Sequence, residues 1–337
     1  MTRVAVMGCG SFGTALGMIT ADAGGDVTLW ARTSEVADSI SRYHENPAYH
    51  PGVELPPNIW ATTVAEQALR GAAIVILAVP AQSLRENLTN WVADIPPDAI
   101  LVSVIKGIEQ GTNYRMSQVV AETWARDAAQ IAVVSGPNLA RELAARQPAA
   151  TTVACTSEEN AKAVSRALTT PYFRPYWTPD VVGAEIAGSA KNVIALANGM
   201  AYGMGFGENA QAALITRGLA EISRLGGALG ARELTFLGLA GVGDLIATCT
   251  SPLSRNRTFG ESLGRGLTLA QTIERTRQTC EGVKSCRAIV ELAKSVGVEM
   301  PISEQVVHVV HDAMSPRDML ANLMSRDPKG EQGSGAD

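Results

Sequence analysis

Apolar and polar residues fall into blocks along the first half of this 337-residue chain. Short runs of β-branched and aliphatic residues recur: RVAVMG, DVTLW, AIVILAV, AILVSVI, QIAVVS and ATTVAC, with a further candidate in YFRPYW. Continuous apolar runs of this length predict strands covered on both faces. Between them lie amphipathic or alanine-rich segments such as TALGMITADAG and RMSQVVAETWARD, which predict helices. Strands alternating with helices predict a doubly wound, mostly parallel sheet of Rossmann type. From about Val181 the strand-like runs give way to helical periodicity, in EIAGSAKNVIALANGMAYG, AQAALITRGLAEISRLGGAL, TLAQTIERT, CRAIVELAKSV and SEQVVHVVHDAM. The predicted fold class is α/β plus all-α. Residues 1–182 form the sheet domain, 183–326 an all-helical domain, and 327–337, polar and glycine-rich, a mobile tail.

The first strand runs into VAVMGCGSFGTALG, which places Gly8, Gly10 and Gly13 in G-x-G-x-x-G spacing between a strand and a helix. That context suits a dinucleotide pyrophosphate. Gly8 permits a tight turn, Gly10 keeps no side chain between backbone and anion, and Gly13 lets helix and strand pack closely. A glycine-rich turn serving another ligand is the alternative. A cofactor with a free ribose 2′-hydroxyl usually meets an acid at the end of the second strand. Here that strand ends VTLWARTSE; Asp26 lies at its other end and Glu35 lies past its reach. Arg32 stands where the acid would be. An arginine suits a 2′-phosphate, so NADP(H) is favoured, with NAD(H) as the second choice; a solvated surface arginine is the alternative reading of Arg32.

Ligands of doubly wound sheets bind beyond the carboxyl ends of the strands. AIVILAV is followed by Pro80 and Gln82, AILVSVI by Lys106 and Gly107, and QIAVVS by Gly136, Pro137 and Asn138. Lys106 and Asn138 are therefore predicted at the edge that carries the glycine loop. Lys106 could equally be a solvated loop residue, and Asn138 a cap for the helix LARELAAR.

In the helical half, Lys191 sits in KNVIALANGMAYGMG. Lysine is rarely buried unless it is paired or used. Lys191, Ile194, Ala195 and Asn198 share one helix face, with Asn192 about 100° away. A desolvated ammonium has a lowered pKa and can donate a proton near neutrality; on a surface helix it would be an ordinary solvated lysine. LAGVGDLIATC isolates Asp244, and SPLSRNRTFGESLGRG clusters Ser254, Arg255, Asn256 and Arg257. Arginine with flanking hydroxyl and amide donors can clamp a phosphate or carboxylate. A helix cap for Asp244 and interdomain ion pairs for the arginines are the simpler readings.

Composition narrows the function classes. A net charge of −5, with no basic block, argues against nucleic acid as a partner. Five cysteines, an odd number without C-x-x-C pairs, argue against a disulfide framework or a structural zinc site. The N-terminus lacks the pattern of a signal peptide, and no apolar stretch approaches a membrane span. A cytoplasmic protein without a metal is expected.

With these residues in hand, the chain resembles the bacterial type of NAD(P)-dependent glycerol-3-phosphate dehydrogenase. The resemblance spans about residues 3–325 and rests on GCGSFGTALG, LWAR, VPAQ, KGIE, SGPNLA, AGSAKN, AGVGDL, SRNRTFG and CEGVKS, in order. It implies that Ser11, Phe12 and Arg32 contact the cofactor and that Lys106 touches both cofactor and substrate. It implies that Gly136 and Asn138 approach the substrate, that Ala140 lines the cofactor site, and that Lys191 is the general acid/base. Asp244, Ser254, Arg255 and Asn256 would bind substrate, Arg255 also reaching the cofactor, and Glu281 and Thr279 would complete the cofactor site. Asn138 stands where the family usually has serine or threonine, and Thr279 where it usually has an apolar residue. The implied reaction is reversible reduction of dihydroxyacetone phosphate to sn-glycerol 3-phosphate, a phospholipid precursor; a homodimer is compatible with it. Two rivals remain at this point. A β-hydroxyacid dehydrogenase or ketopantoate-type reductase has the same layout but a carboxylate substrate. A non-catalytic NADP(H) sensor would have no need of Lys106, Lys191 and Asp244 together.

Overall fold

Eight strands form one sheet: β1 (Arg3–Met7), β2 (Asp26–Trp30), β3 (Ile59–Thr62), β4 (Ile74–Leu77), β5 (Ile100–Ser103), β6 (Ile131–Ser135), β7 (Ala149–Cys155) and β8 (Phe173–Thr178). Their spatial order is β3-β2-β1-β4-β5-β6-β7-β8. Every neighbouring pair is parallel except β6 and β7. The chain winds outward from β1 in one direction to β3, then returns to β4 on the other side of β1, which creates the switch point where such sheets bind ligands. This computed structural model describes residues 1–276, 280–327 and 330. Thr279, and the expected tail apart from Asp327 and Gly330, lie outside the described residues.

The continuous apolar runs are explained by burial on both faces. β4 and β5 are buried at every position. Alternate residues of β1 divide between two cores: Val4 and Val6 pack into one, Ala5 and Met7 into the other, as the two-residue period of a strand requires. β3 is an addition to the predicted strands. Its four residues IWAT include one buried side chain, too little periodicity to stand out, and pairing with β2 gives it its extended form.

The helix Val181–Gly203 carries the second half. Its residues from Gly183 to Ala201 are buried, so it has no solvated face and lacks an amphipathic stripe. It begins one turn after β8. Asp180 caps it by accepting from the Gly183 amide at 2.9 Å, and the other carboxylate oxygen accepts from the Arg232 amide at 2.8 Å and the Thr235 hydroxyl at 2.5 Å. Glycines let its backbone meet that of helix Arg255–Gly264 directly. A Cβ on Gly199 would sit 2.1 Å from the Arg257 carbonyl oxygen, and one on Gly260 would sit 2.2 Å from that of Leu196. Gly203 and Gly264 repeat this one turn on. Helices Glu208–Ala228, Glu281–Ser295 and Pro301–His311 enclose the rest of this core. Val133 and Ala154 of the sheet meet Ala184 and Ala240 in a small apolar seam that joins the two halves. Among the described residues one stretch, Glu233–Thr250, has the length and apolar content of a membrane span; Gly241, at φ −93° and ψ −106°, breaks its helical course.

Candidate active site

The glycine loop has the geometry its spacing implies. Gly8 adopts φ +127°, and a Cβ there would lie 2.6 Å from the Ala78 carbonyl oxygen. A Cβ on Gly13 would lie 1.9 Å from the Gly8 carbonyl oxygen, while one on Gly10 would meet nothing within 4 Å. Gly10 is the N-cap of helix Ser11–Asp22, so open space lies where the helix presents its free amides to an anion. The cradle fits a pyrophosphate. Arg32 is exposed just beyond β2, at the same edge. Asp26 is at the far end, paired with Arg3 at 3.4 Å.

Two residues that sequence reasoning missed hold this loop from behind. Asn46 is fully buried and donates to the Cys9 carbonyl at 3.0 Å and to the Thr14 hydroxyl at 2.9 Å. His50 Nε2 lies 2.7 Å from the Ser11 carbonyl oxygen; because a carbonyl only accepts, that nitrogen carries the proton. Both lie more than thirty positions from the loop in sequence, with no local pattern to flag them.

The candidate reactive centre is built from both halves of the chain. Lys106, beyond β5, donates to the Gly136 carbonyl at 3.0 Å and to Asp244 Oδ2 at 2.7 Å. Lys191 donates to Asp244 Oδ1 and, at 2.5 Å, to the Thr248 hydroxyl. Thr248 in turn donates to the Asp244 carbonyl at 2.7 Å. Lys191 is 5% and Asp244 2% exposed. The helix cap expected as the simpler reading of Asp244 is not its role, since Gly243 holds the N-cap position. Two ammoniums share one carboxylate, so the cluster, in which Lys106 is partly exposed, keeps a net positive charge. Burial pulls the Lys191 pKa down to about 8; Asp244 opposes the shift and the charge on Lys106 adds to it. An ammonium has three N–H groups, and each lysine uses two of them here. Thr248 was absent from the sequence reading, although its place four residues after Asp244 puts both on one helix face. The Phe12 ring lies 5.9 Å from Lys106 Nζ.

The Ser254–Arg257 cluster separates by role. Ser254 caps helix Arg255–Gly264, accepting from the Arg257 amide at 3.3 Å. Arg255 is exposed. Asn256 is buried; its carbonyl oxygen accepts from the Gly282 amide and Cys280 Sγ, both at 2.9 Å, and one amide N–H goes to Asn192 Oδ1 at 2.9 Å. Its second N–H has no hydrogen-bond acceptor among the described residues. Arg257 points away, paired with Glu261 at 3.2 Å and stacked 4.3 Å from the Tyr202 ring centre, so it belongs to the helical core. Asn138 does not cap the following helix, whose N-cap is Leu139. Instead its amide donates to the Ala150 carbonyl at 3.2 Å and accepts from the Thr151 hydroxyl at 2.8 Å, tying the turn after β6 to β7. Ala140 begins that helix and packs on the first core. Glu281 Oε2 is buried and has no hydrogen-bond partner among the described residues. Burial pushes its carboxyl up, with Lys284 and Arg255 opposing. An acceptor left open in this way suits an N–H donor on a bound cofactor.

Comparison with known proteins agrees with this geometry. Residues 3–161 match the family model for the NAD-dependent glycerol-3-phosphate dehydrogenase N-terminus, and residues 180–321 match that for the C-terminus. A Streptomyces avermitilis protein named glycerol-3-phosphate dehydrogenase (NAD(P)+) is 57% identical over 330 residues, 98% of each chain. The crystal structure of a glycerol-3-phosphate dehydrogenase from Coxiella burnetii superposes with a TM-score of 0.92 at 34% identity, covering 96% of this chain and 99% of that one. A ketopantoate reductase from Ralstonia eutropha reaches a TM-score of 0.58 at 16% identity over 95% of this chain and all of that one, a likeness of fold alone. The chain belongs to the NAD-dependent glycerol-3-phosphate dehydrogenase family.

Proposed function

We propose that this protein reduces dihydroxyacetone phosphate to sn-glycerol 3-phosphate with NADPH or NADH, and runs the reverse oxidation. The observation that carries this reading is the Lys191–Asp244–Lys106 cluster, with Lys191 and Asp244 buried, at the sheet edge that also holds the glycine loop. When bound, the reduced nicotinamide supplies a hydride to the C2 carbonyl of the substrate. The protein's own residues do the rest. Lys191 gives the carbonyl oxygen its proton through the N–H that neither Asp244 nor Thr248 occupies. Lys106 adds positive charge where negative charge develops. Asp244 fixes both ammoniums. Arg255, the open N–H of Asn256 and the start of their helix, capped by Ser254, hold the substrate phosphate. Gly8, Gly10 and Gly13 cradle the pyrophosphate with Ser11 and Phe12, Arg32 meets a 2′-phosphate, and Ala140 and Glu281 line the far side of the cofactor. Residues 1–182 thus act as the cofactor domain and 183–326 as the substrate domain. On this reading the enzyme works in the cytoplasm and supplies the backbone of membrane phospholipids, and a homodimer is its expected assembly.

The test is nicotinamide oxidation by purified protein with dihydroxyacetone phosphate, NADPH against NADH, with ketopantoate as control. Turnover of the triose phosphate alone supports the reading. Turnover of ketopantoate alone would show that Arg255 and Asn256 serve a carboxylate. Arg32→Ala should lower the preference for NADPH over NADH; equal losses with both would remove Arg32 from the 2′-phosphate site.

A further inference from the structure

We propose that Glu185 is a positioning residue, which keeps Lys106 and Lys191 in register through a closed circuit of contacts. The proposal rests on the catalytic reading of those two lysines. Glu185 lies six residues before Lys191 on the same helix and is 4% exposed. Its carboxylate faces the other half of the chain. There it accepts from Arg115 Nη1 at 2.5 Å, from the Ser117 amide at 2.7 Å and from the Ser117 hydroxyl at 2.5 Å. A carboxylate this deep, with three donors from another part of the chain, is expensive to desolvate.

The helix face explains what it holds. Glu185, Gly188, Ser189 and Asn192 follow the i, i+3, i+4, i+7 pattern and form one stripe; Gly188 lies about 60° from Lys191 around the helix and the other three about 100° or more. Glu185 meets the sheet half at Arg115 and Ser117, and the other three meet it around Lys106. The Ser189 hydroxyl donates to the Gly107 carbonyl at 3.3 Å, and the Asn192 amide to the Lys106 carbonyl at 3.2 Å. At Gly188 a Cβ would come within 2.7 Å of Ser135 Oγ and 3.5 Å of Lys106 Cγ. The segment from Lys106 to Ser117 is itself closed. Ile108 and Arg115 form an antiparallel bridge, and the Glu109 amide donates to the Tyr114 carbonyl at 2.9 Å. Fixing Arg115 therefore fixes Ile108, two residues from Lys106.

The circuit runs from Lys191 along its helix to Glu185, across to Arg115, through the bridge to Ile108, to Lys106, and back through Asp244 to Lys191. Asp244 joins the two ammonium tips, whose other partners are the Gly136 carbonyl and the Thr248 hydroxyl. The Glu185 contact ties together the backbone segments that carry the two lysines, and reacting groups displaced by even one ångström lose rate steeply.

The test is Glu185→Gln, which keeps the size of the side chain but removes the charge and one acceptor. Steady-state kinetics are measured well below the melting temperature and across pH. The expected result is a fall in kcat of about ten- to a hundredfold with little change in the KM for NADPH, whose glycine loop lies outside the circuit. The groups facing Lys191 are Asp244, Lys106 and the Cys249 thiol. Release of Lys106 raises the pKa of Lys191, so the high-pH fall of the reduction rate moves upward. Ser117→Ala, a milder change, should shift kcat and pH profile the same way by less. A Glu185→Gln protein that loses only melting temperature, with wild-type kcat and pH profile, overturns the proposal. If that variant does not fold, Ser117→Ala decides by the same two readouts. A wild-type reduction rate with no fall near pH 8 would instead remove Lys191 from the chemistry, and this proposal with it.

Discussion

Asp244 gives one carboxylate oxygen to Lys191 and the other to Lys106, and so joins a lysine of the helical half to a lysine at the sheet edge. An amide in its place would accept from one ammonium and present its own N–H groups to the other. Losing one partner of a buried ion pair typically costs about 3–5 kcal/mol. Asp244→Asn is therefore expected to lower the melting temperature and to reduce kcat more than the KM for cofactor. Asp244 also holds the Lys191 pKa up, so the fall of the reduction rate with pH should begin at a lower pH in the variant. A variant whose profile coincides with wild type would mean that another group sets this titration.

The wild-type pH dependence follows from the same lysine. On the proposed reading reduction needs Lys191 protonated and oxidation needs it neutral. With its pKa near 8, kcat/KM for reduction should fall, and that for oxidation rise, as pH passes through that value. The stability effect has a definite sign. In the unfolded chain lysine keeps its proton to about pH 10.4, whereas folded Lys191 releases it near 8. Between those values the unfolded state binds more protons, so raising the pH favours the folded state. Denaturant titrations should show the stability of wild type rising relative to that of Lys191→Met across that window.

Gly10 and Gly13 make opposite predictions. A Cβ at Gly10 has free space around it in the protein, and one at Gly13 would strike the Gly8 backbone. Gly10→Ala should fold with an unchanged melting temperature yet bind NADPH about tenfold or more weakly, because the methyl group occupies the cofactor's place. Gly13→Ala should lose melting temperature as well. Isothermal titration with thermal denaturation separates the two, and normal NADPH affinity in Gly10→Ala would move the pyrophosphate elsewhere.

Arg255 and Arg257 are two residues apart and should fail differently. Arg255→Ala is expected to raise the KM for dihydroxyacetone phosphate at least tenfold, since charge-assisted contacts to phosphate are strong, with little effect on melting. Arg257→Met breaks the contacts to Glu261 and Tyr202 and should lower the melting temperature while leaving that KM near wild type. The reverse pattern would exchange their roles.

Residues whose function depends on local pattern were legible in the sequence. Gly8, Gly10 and Gly13 declare themselves by spacing, seven of the eight strands by apolar runs, and Lys191 by its apolar neighbourhood. Residues whose partners come from far along the chain were not. Asn46 and His50 support the glycine loop from a segment without regular periodicity. Arg255 and Arg257 read alike until burial separates them. Asn138 looked equally suited to capping a helix, and only the approach of β7 shows where its amide goes. β3 escaped notice because its extended form is imposed by pairing with β2.

The paired glycines Gly199, Gly203, Gly260 and Gly264 set one helix backbone directly against another. One of these helices carries Lys191 and the other begins at the Ser254–Asn256 segment, the proposed phosphate clamp. Contact between backbones leaves no side chains to repack, so the two helices slide or tilt little. On the proposed reading they act as a ruler. The span from phosphate to protonated oxygen is fixed by main-chain geometry, and a substrate longer by one carbon could not satisfy both ends at once.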